Sequence, residues 1–286
     1  MKKEITVECD DLEWLYVPDI LYAEYDDCKR YIQLLIPYRQ KWETNEKYPL
    51  ILFIPGSAWY CQEMYNSIPS YSKLAERGFV TAIVQYRESN IAKYPAQVQD
   101  INKAVQFLIT KSEEFHIDTD KIFLAGNSSG GHIALMTAFR KANGIIDEEN
   151  RCPFTIRGVI AESAPSDIFM CAAAKMPDFM PRDFRPSRDL LGVNEISDNI
   201  ELAKEAGCQM YINADVPLPP VLLFHGKEDN QVHVEQSRQL YAQLHAAGKR
   251  VDYYEIAGCG HGGAVFWTEK VLDIIERFIT VVSEQV

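Results

Sequence analysis

Gly126-Asn127-Ser128-Ser129-Gly130 fits the pattern G-x-S-x-G. The apolar run Lys121 to Ala125 before it reads as a strand, and a helical pattern starts near Gly131. A serine on such a strand–turn–helix junction is held at strained backbone angles at the tip of a sharp turn. Gly126 and Gly130 remove the side chains that would collide with the crossing chain. A serine hydroxyl is a poor nucleophile at neutral pH and needs a base, which an acid must orient. Of the six histidines, His261 alone lies in a glycine-rich loop, Gly258 to Gly263, after the last strand pattern. It is the expected base. The acid is expected after the preceding strand, Val221 to Phe224, in His225-Gly226-Lys227-Glu228-Asp229. Asp229 lies far enough into that turn to reach back over a sheet edge, with Glu228 as its solvated neighbour. His225 is expected to pack or cap locally.

Acyl transfer also needs donors for the oxyanion that develops on the carbonyl. The run Leu50 to Ile54 ends in Pro55-Gly56-Ser57-Ala58-Trp59, a loop of small residues. Backbone N–H groups from this loop are expected to act with the N–H of Ser129. The loop candidates are Ser57, Ala58 and Trp59, and Ser57 and Ala58 are the assignment.

The elements that must position these groups alternate in type. Strand patterns are read at 50–54, 79–84, 121–125, 159–161, 221–224 and 251–256. Helical patterns fall at 71–77 (stopped by Gly78), over Val98, Ile101, Val105 and Leu108, at 133–139, over Leu240 to Ala247, and from Val271 to Val282. Alternation of this kind predicts an α/β fold, a mostly parallel sheet with helices on both faces. Ile20–Tyr25 and Arg30–Ile36 predict an antiparallel edge turned at Asp26 and Asp27. The stretch 163–215 breaks the alternation. It is expected to be a cap-like insertion over one end of the sheet within a single domain spanning 1–286. Trp59 and Tyr60 are candidate substrate-binding residues. Tyr65, Phe169, Met170, Met176, Phe179, Met180 and Phe184 would either line a pocket or seat the insertion. Arg182, Arg185 and Arg188 read as a solvated face.

The 286 residues carry 29 basic and 41 acidic side chains, a net charge of −12. Such a chain repels phosphate backbones and anionic lipid, which speaks against nucleic-acid and membrane partners. The longest apolar runs fall far below the ~20 residues of a membrane span. The N-terminus, with Glu4, Glu8, Asp10 and Asp11, has no apolar signal core. Seven cysteines with no C-x-x-C pair suit reduced thiols and a cytoplasmic setting, and argue against structural zinc.

These motifs together resemble the α/β-hydrolase superfamily, in particular its small esterases with an HGGxW-type oxyanion loop. That group includes acetyl and feruloyl esterases acting on plant polysaccharides and kynurenine formamidases. The resemblance runs through Pro55 to Trp59, Tyr86-Arg87 with Pro95-Ala96 and Asp100, Ile117-Asp118, Gly126 to His132, His225-Gly226 with Asp229 and Val232, and Gly260-His261-Gly262. It implies structural roles for Arg87, Asp100 and His132. The chain departs from the group at Pro55-Gly56-Ser57, where His-Gly-Gly is usual, so the loop must be braced from elsewhere. The expected reaction is hydrolysis of short acyl esters, acetyl to butyryl, by Ser128, His261 and Asp229 through an acyl-enzyme, without metal or cofactor. The ester would be a small molecule, with acetylated or feruloylated plant carbohydrate as one source. The alternative is an aryl formamidase cleaving N-formylkynurenine-type amides; a binding protein on a hydrolase scaffold is the third reading.

Overall fold

The computed structural model describes residues 1–6, 12–26, 28–39, 46–145, 153–175, 177–181 and 183–284. Asp27, Cys9, Cys152, Met176 and Arg182 lie outside the described residues.

The strands are β1 (Glu13–Tyr25), β2 (Cys28–Tyr38), β3 (Tyr48–Ile54), β4 (Val80–Val84), β5 (Ile117–Asn127), β6 (Ile156–Glu162), β7 (Val221–Gly226) and β8 (Val251–Ile256). They form one sheet in the order β1-β2-β4-β3-β5-β6-β7-β8. β2 pairs antiparallel with both β1 and β4, and the remaining pairs are parallel. The antiparallel edge is therefore where the sequence puts it. β1 begins earlier than expected, because Pro18 and Asp19 interrupt its pattern. The register shifts between Val17 and Ile20, and Asp19 adopts φ 51°. A proline and a bulge are tolerated there because β1 lies at the edge of the sheet.

The helices are α1 (Ile68–Ala75), α2 (Ala96–Thr110), α3 (Ser129–Ala142), α4 (Ile168–Ala173), α5 (Pro186–Leu191), α6 (Ile200–Glu205), α7 (Glu235–Ala246) and α8 (Glu269–Ser283). α1 starts three residues before the expected Tyr71, since Pro69 fits a first helical turn, where its missing N–H has no intrahelical partner. Side chains alternate across the central strands and fill two cores. Leu50, Leu52 and Ile54 of β3 face α2, α3 and α7; Ile51 and Phe53 face α1 and α8. The five parallel strands β4, β3, β5, β6 and β7 are buried on both sides and need continuous apolar runs, which is why they are visible in the sequence.

Between β6 and β7 the chain forms α4, α5, α6 and short 3-10 turns, with no strand among its described residues. One side of this segment is fastened to α3. Arg140 donates to Glu205 Oε1 at 2.9 Å and to the hydroxyls of Tyr94 and Tyr211, each at 3.0 Å. Asn143 Nδ2 donates to Tyr211 O at 3.0 Å. Among the described residues no helix is long and apolar enough to cross a membrane.

Candidate active site

β5 delivers Ser128 at the sheet's C-terminal edge with φ 52° and ψ −128°, as the residue that caps α3. A non-glycine residue at positive φ is strained, and packing must hold it there. The hold is visible: the Ser128 N–H donates to Glu162 O at 2.7 Å, and its carbonyl accepts from the His132 N–H at 3.1 Å. A Cβ on Gly130 would lie 1.9 Å from Ile54 O, so only glycine lets α3 start this close to β3.

The loops after β7 and β8 bring Asp229 and His261 to Ser128. His261 Nε2 is 2.9 Å from Ser128 Oγ, and His261 Nδ1 is 2.7 Å from Asp229 Oδ2. A carboxylate only accepts, so Nδ1 carries the proton and the Nε2 lone pair faces the serine hydroxyl. Asp229 is buried and also accepts the N–H groups of Gln231 and Val232 on Oδ1, both at 2.9 Å. Burial opposes its charge, but the hydrogen bonds from His225, His261 and Gln231 and the nearby His261 charge outweigh burial and hold the carboxyl well below the usual range. Glu228 is exposed.

His225 is local, as expected, but it touches the site. It is fully buried, donates from Nε2 to Val232 O at 2.8 Å, and meets Ser237 Oγ through Nδ1 at 2.6 Å. Gly226, the last residue of β7, also serves the site. A Cβ there would lie 2.2 Å from Gly260 O, so its bareness lets the His261 loop come down onto β7. Its signal in the sequence was its place between the strand and Asp229.

The loop after β3 is braced without an imidazole at position 55. The Gly56 N–H donates to Asn127 Oδ1 at 2.8 Å, Trp59 O accepts the Ser89 N–H at 2.8 Å, and Trp59 Nε1 donates to His132 Nδ1 at 3.1 Å. His132 Nε2 in turn donates to Ala206 O at 2.8 Å. Burial pushes the His132 imidazole down to about 4, so the ring is neutral and able to accept from the indole. The unusual backbone angles fall at Ala58 (φ 53°) and Trp59 (φ 62°). Ser57 departs from its expected part: its N–H donates to Ser129 Oγ at 2.9 Å. The N–H groups of Ala58, Trp59 and Ser129 have no hydrogen-bond partner among the described residues.

Ser128 and His261 open on a cavity of about 350 Å³ whose apolar side is formed by Met180, Phe184, Pro186 and Val232. Trp59 lines it while nearly buried. Tyr60 does not line it. Its hydroxyl donates to Asp189 and its ring packs on Phe184, so it seats the wall instead. Phe169, Phe179 and Tyr65 are exposed, away from the cavity wall. Arg185 and Arg188 pair with Asp189 and Glu195. Arg87 pairs with buried Asp100 at 2.8 Å. Glu162, at the end of β6, is a buried carboxyl with no local signature in the sequence, and burial raises it to about 8. Among the described residues no group of three His, Cys, Asp or Glu could hold a metal ion. Five cysteines, Cys28, Cys61, Cys171, Cys208 and Cys259, are free.

The sheet order, the strained serine between β5 and α3, and the loops that carry Asp229 and His261 define an α/β-hydrolase fold. A family model described as BD-FAE matches residues 37–244, and the chain belongs to that family. Among curated relatives, esterase LipC of Mycobacterium tuberculosis is 25% identical over 237 residues, covering 80% of this chain and 57% of the relative. The probable carboxylic ester hydrolase LipM of the same organism is 26% identical, covering 85% of this chain and 55% of the relative. The chain thus spans little more than half the length of these relatives. A truncated carbohydrate esterase from gut microbiota shares the fold with a TM-score of 0.77 at 22% identity, over 97% of this chain and 99% of that one. A thermophilic esterase from Thermogutta terrifontis, solved with propionate bound, has a TM-score of 0.70 at 21% identity, over 96% and 94%.

Proposed function

We infer that this chain is a serine carboxylic ester hydrolase acting on short acyl esters. The observation that carries the reading is the relay from Ser128 Oγ through His261 to Asp229, with contacts of 2.9 and 2.7 Å. Ser128 attacks the ester carbonyl as His261 Nε2 takes its proton. Asp229 holds the tautomer and stabilises the imidazolium. His261 then protonates the departing alcohol, and a water activated by the same ring cleaves the acyl-enzyme. The oxyanion rests on the N–H groups of Ala58 and Ser129, with that of Trp59 next along the loop.

The segment 163–215 acts as a cap, since Met180, Phe184 and Pro186 wall the cavity. The open cavity of about 350 Å³ accommodates acetyl to butyryl groups. A second groove adjoins it, with Met170, Ala173 and Ala174 on one side and Asn230, Gln231 and Gln239 on the other, and gives room for the alcohol portion of the ester. Acylated carbohydrate is one candidate for that ester, as the solved neighbour of like fold is a carbohydrate esterase. Ser128→Ala lowers kcat on p-nitrophenyl acetate by on the order of 10⁴ or more. A variant that keeps a tenth of the activity rejects the reading. Acetylated xylo-oligosaccharides, methyl ferulate and N-formylkynurenine, assayed side by side, separate carbohydrate esterase from formamidase.

A further inference from the structure

The loop after β3 carries a serine at 57 where the resembling esterases have glycine, and the Ser57 N–H points at a side chain rather than into the cavity. The hydroxyls around it fix one another's protons. Ser57 Oγ donates its only proton to Tyr60 O at 2.6 Å. Tyr86 OH, 2.9 Å from Ser57 Oγ, must then be the donor of that pair. Ser129 Oγ, 3.3 Å from Tyr86 OH, must donate to the phenol oxygen in turn. The ring closes where Ser129 Oγ accepts the Ser57 N–H at 2.9 Å. Every proton in it has one destination. Tyr86 is fully buried, and burial pushes its phenol up to about 12, so it stays a donor across the working pH range. Gln62 fixes the far end: its Oε1 accepts the Tyr86 N–H at 3.0 Å, and its amide donates to the same Tyr60 carbonyl.

We propose that Tyr86, with the hydroxyls of Ser57 and Ser129, is a positioning device that sets the oxyanion donors; the proposal rests on Ser128 being the nucleophile. The ring ties the loop to the first residue of α3, so the N–H of Ser129 and the N–H of Ala58 are placed relative to each other by one closed set of bonds. It also holds the left-handed turn at Ala58 and Trp59, which no glycine eases. None of the three hydroxyls touches the reacting atoms. They act through the two backbone donors, so their loss weakens binding of the tetrahedral state and leaves ester binding alone.

The test is a double-variant cycle with Tyr86→Phe and Ser57→Ala, read on p-nitrophenyl acetate and by the rate of Ser128 labelling with a fluorophosphonate. Each single variant lowers kcat about tenfold with KM within twofold, and labelling slows by the same factor. The double variant loses no more than the worse single one, because one ring is broken once. Losses that multiply, a change confined to KM, or full kcat in a folded Tyr86→Phe protein overturn the proposal. Should Tyr86→Phe fail to fold, Ser57→Ala and Ser129→Ala, which remove hydroxyls and no aromatic packing, carry the same cycle. Ser128→Ala separates the two levels. If it abolishes activity while the ring variants do nothing, the esterase reading stands and the ring is only structural; if it leaves activity intact, the nucleophile is wrong.

Discussion

His225 Nε2 lies 3.3 Å from Asp229 Oδ2, the same oxygen that receives His261 Nδ1 at 2.7 Å. One buried imidazole thus flanks the carboxylate on which the other depends. His225 is itself fixed by Ser237 Oγ and Val232 O, so it forms a wall against which Asp229 cannot rotate. His225→Gln is expected to lower kcat by on the order of tenfold, since small displacements of a relay are costly. The matching measurement is kcat and KM on p-nitrophenyl acetate; an unchanged kcat would mean that the Gln231 and Val232 N–H groups suffice to hold Asp229.

Phe184 limits the cavity. Phe184→Ala is expected to move the chain-length preference from acetyl and butyryl toward hexanoyl and octanoyl esters, raising kcat/KM for hexanoyl relative to acetyl about tenfold, the worth of one or two buried methylenes. A series of p-nitrophenyl esters reads this directly. The same preference in both proteins would place the acyl group elsewhere.

Glu162 makes stability depend on pH between 4.5 and about 8. Its carboxyl holds a proton in the folded chain up to about 8, whereas the ordinary value is 4.5. The folded state therefore binds more protons between those values, and stability falls as pH rises through that window. Glu162→Gln removes the slope. Its Tm is expected to exceed that of the parent by several degrees at pH 8.5 and to match it near pH 4.5. Parallel Tm curves across the range would show that Glu162 ionises freely.

His132 acts at the other end. Its folded value of about 4 lies below the ordinary 6.5, so the unfolded chain takes up the proton first as pH falls. Stability is full above 6.5 and declines between 6.5 and 4. Protonation would also remove the lone pair that accepts the Trp59 indole. His132→Gln is expected to flatten Tm over that window at a lower starting value, by differential scanning calorimetry at half-unit steps.

The parallel strands and the two glycines around Ser128 are legible in the sequence because each has a local signature. Buried strands must be apolar throughout, and the tight turn at Ser128 admits only glycine at 126 and 130. Asp229 and His261 were legible from their position after strands, which the fold order dictates. The edge strand β1 was half hidden, since Pro18 and a bulge break its alternation. The behaviour of Ser57 could not be read, because the direction of one N–H depends on Ser129 and Tyr86, 72 and 29 residues away. Tyr60 was assigned by residue type, and its hydroxyl found Asp189 across 129 residues.

The bonds from α3 to the chain between β6 and β7 have a consequence for the roof. Arg140, Asn143 and His132 rivet residues 205–211 to the helix that Ser128 caps. A wholesale swing of that roof would tear away Ala206 and, through His132 and Trp59, pull on the very loop beneath it. The stretch 205–211 is therefore a fixed rafter, whereas Met180 and Phe184 stand on a part of the roof that these rivets do not reach.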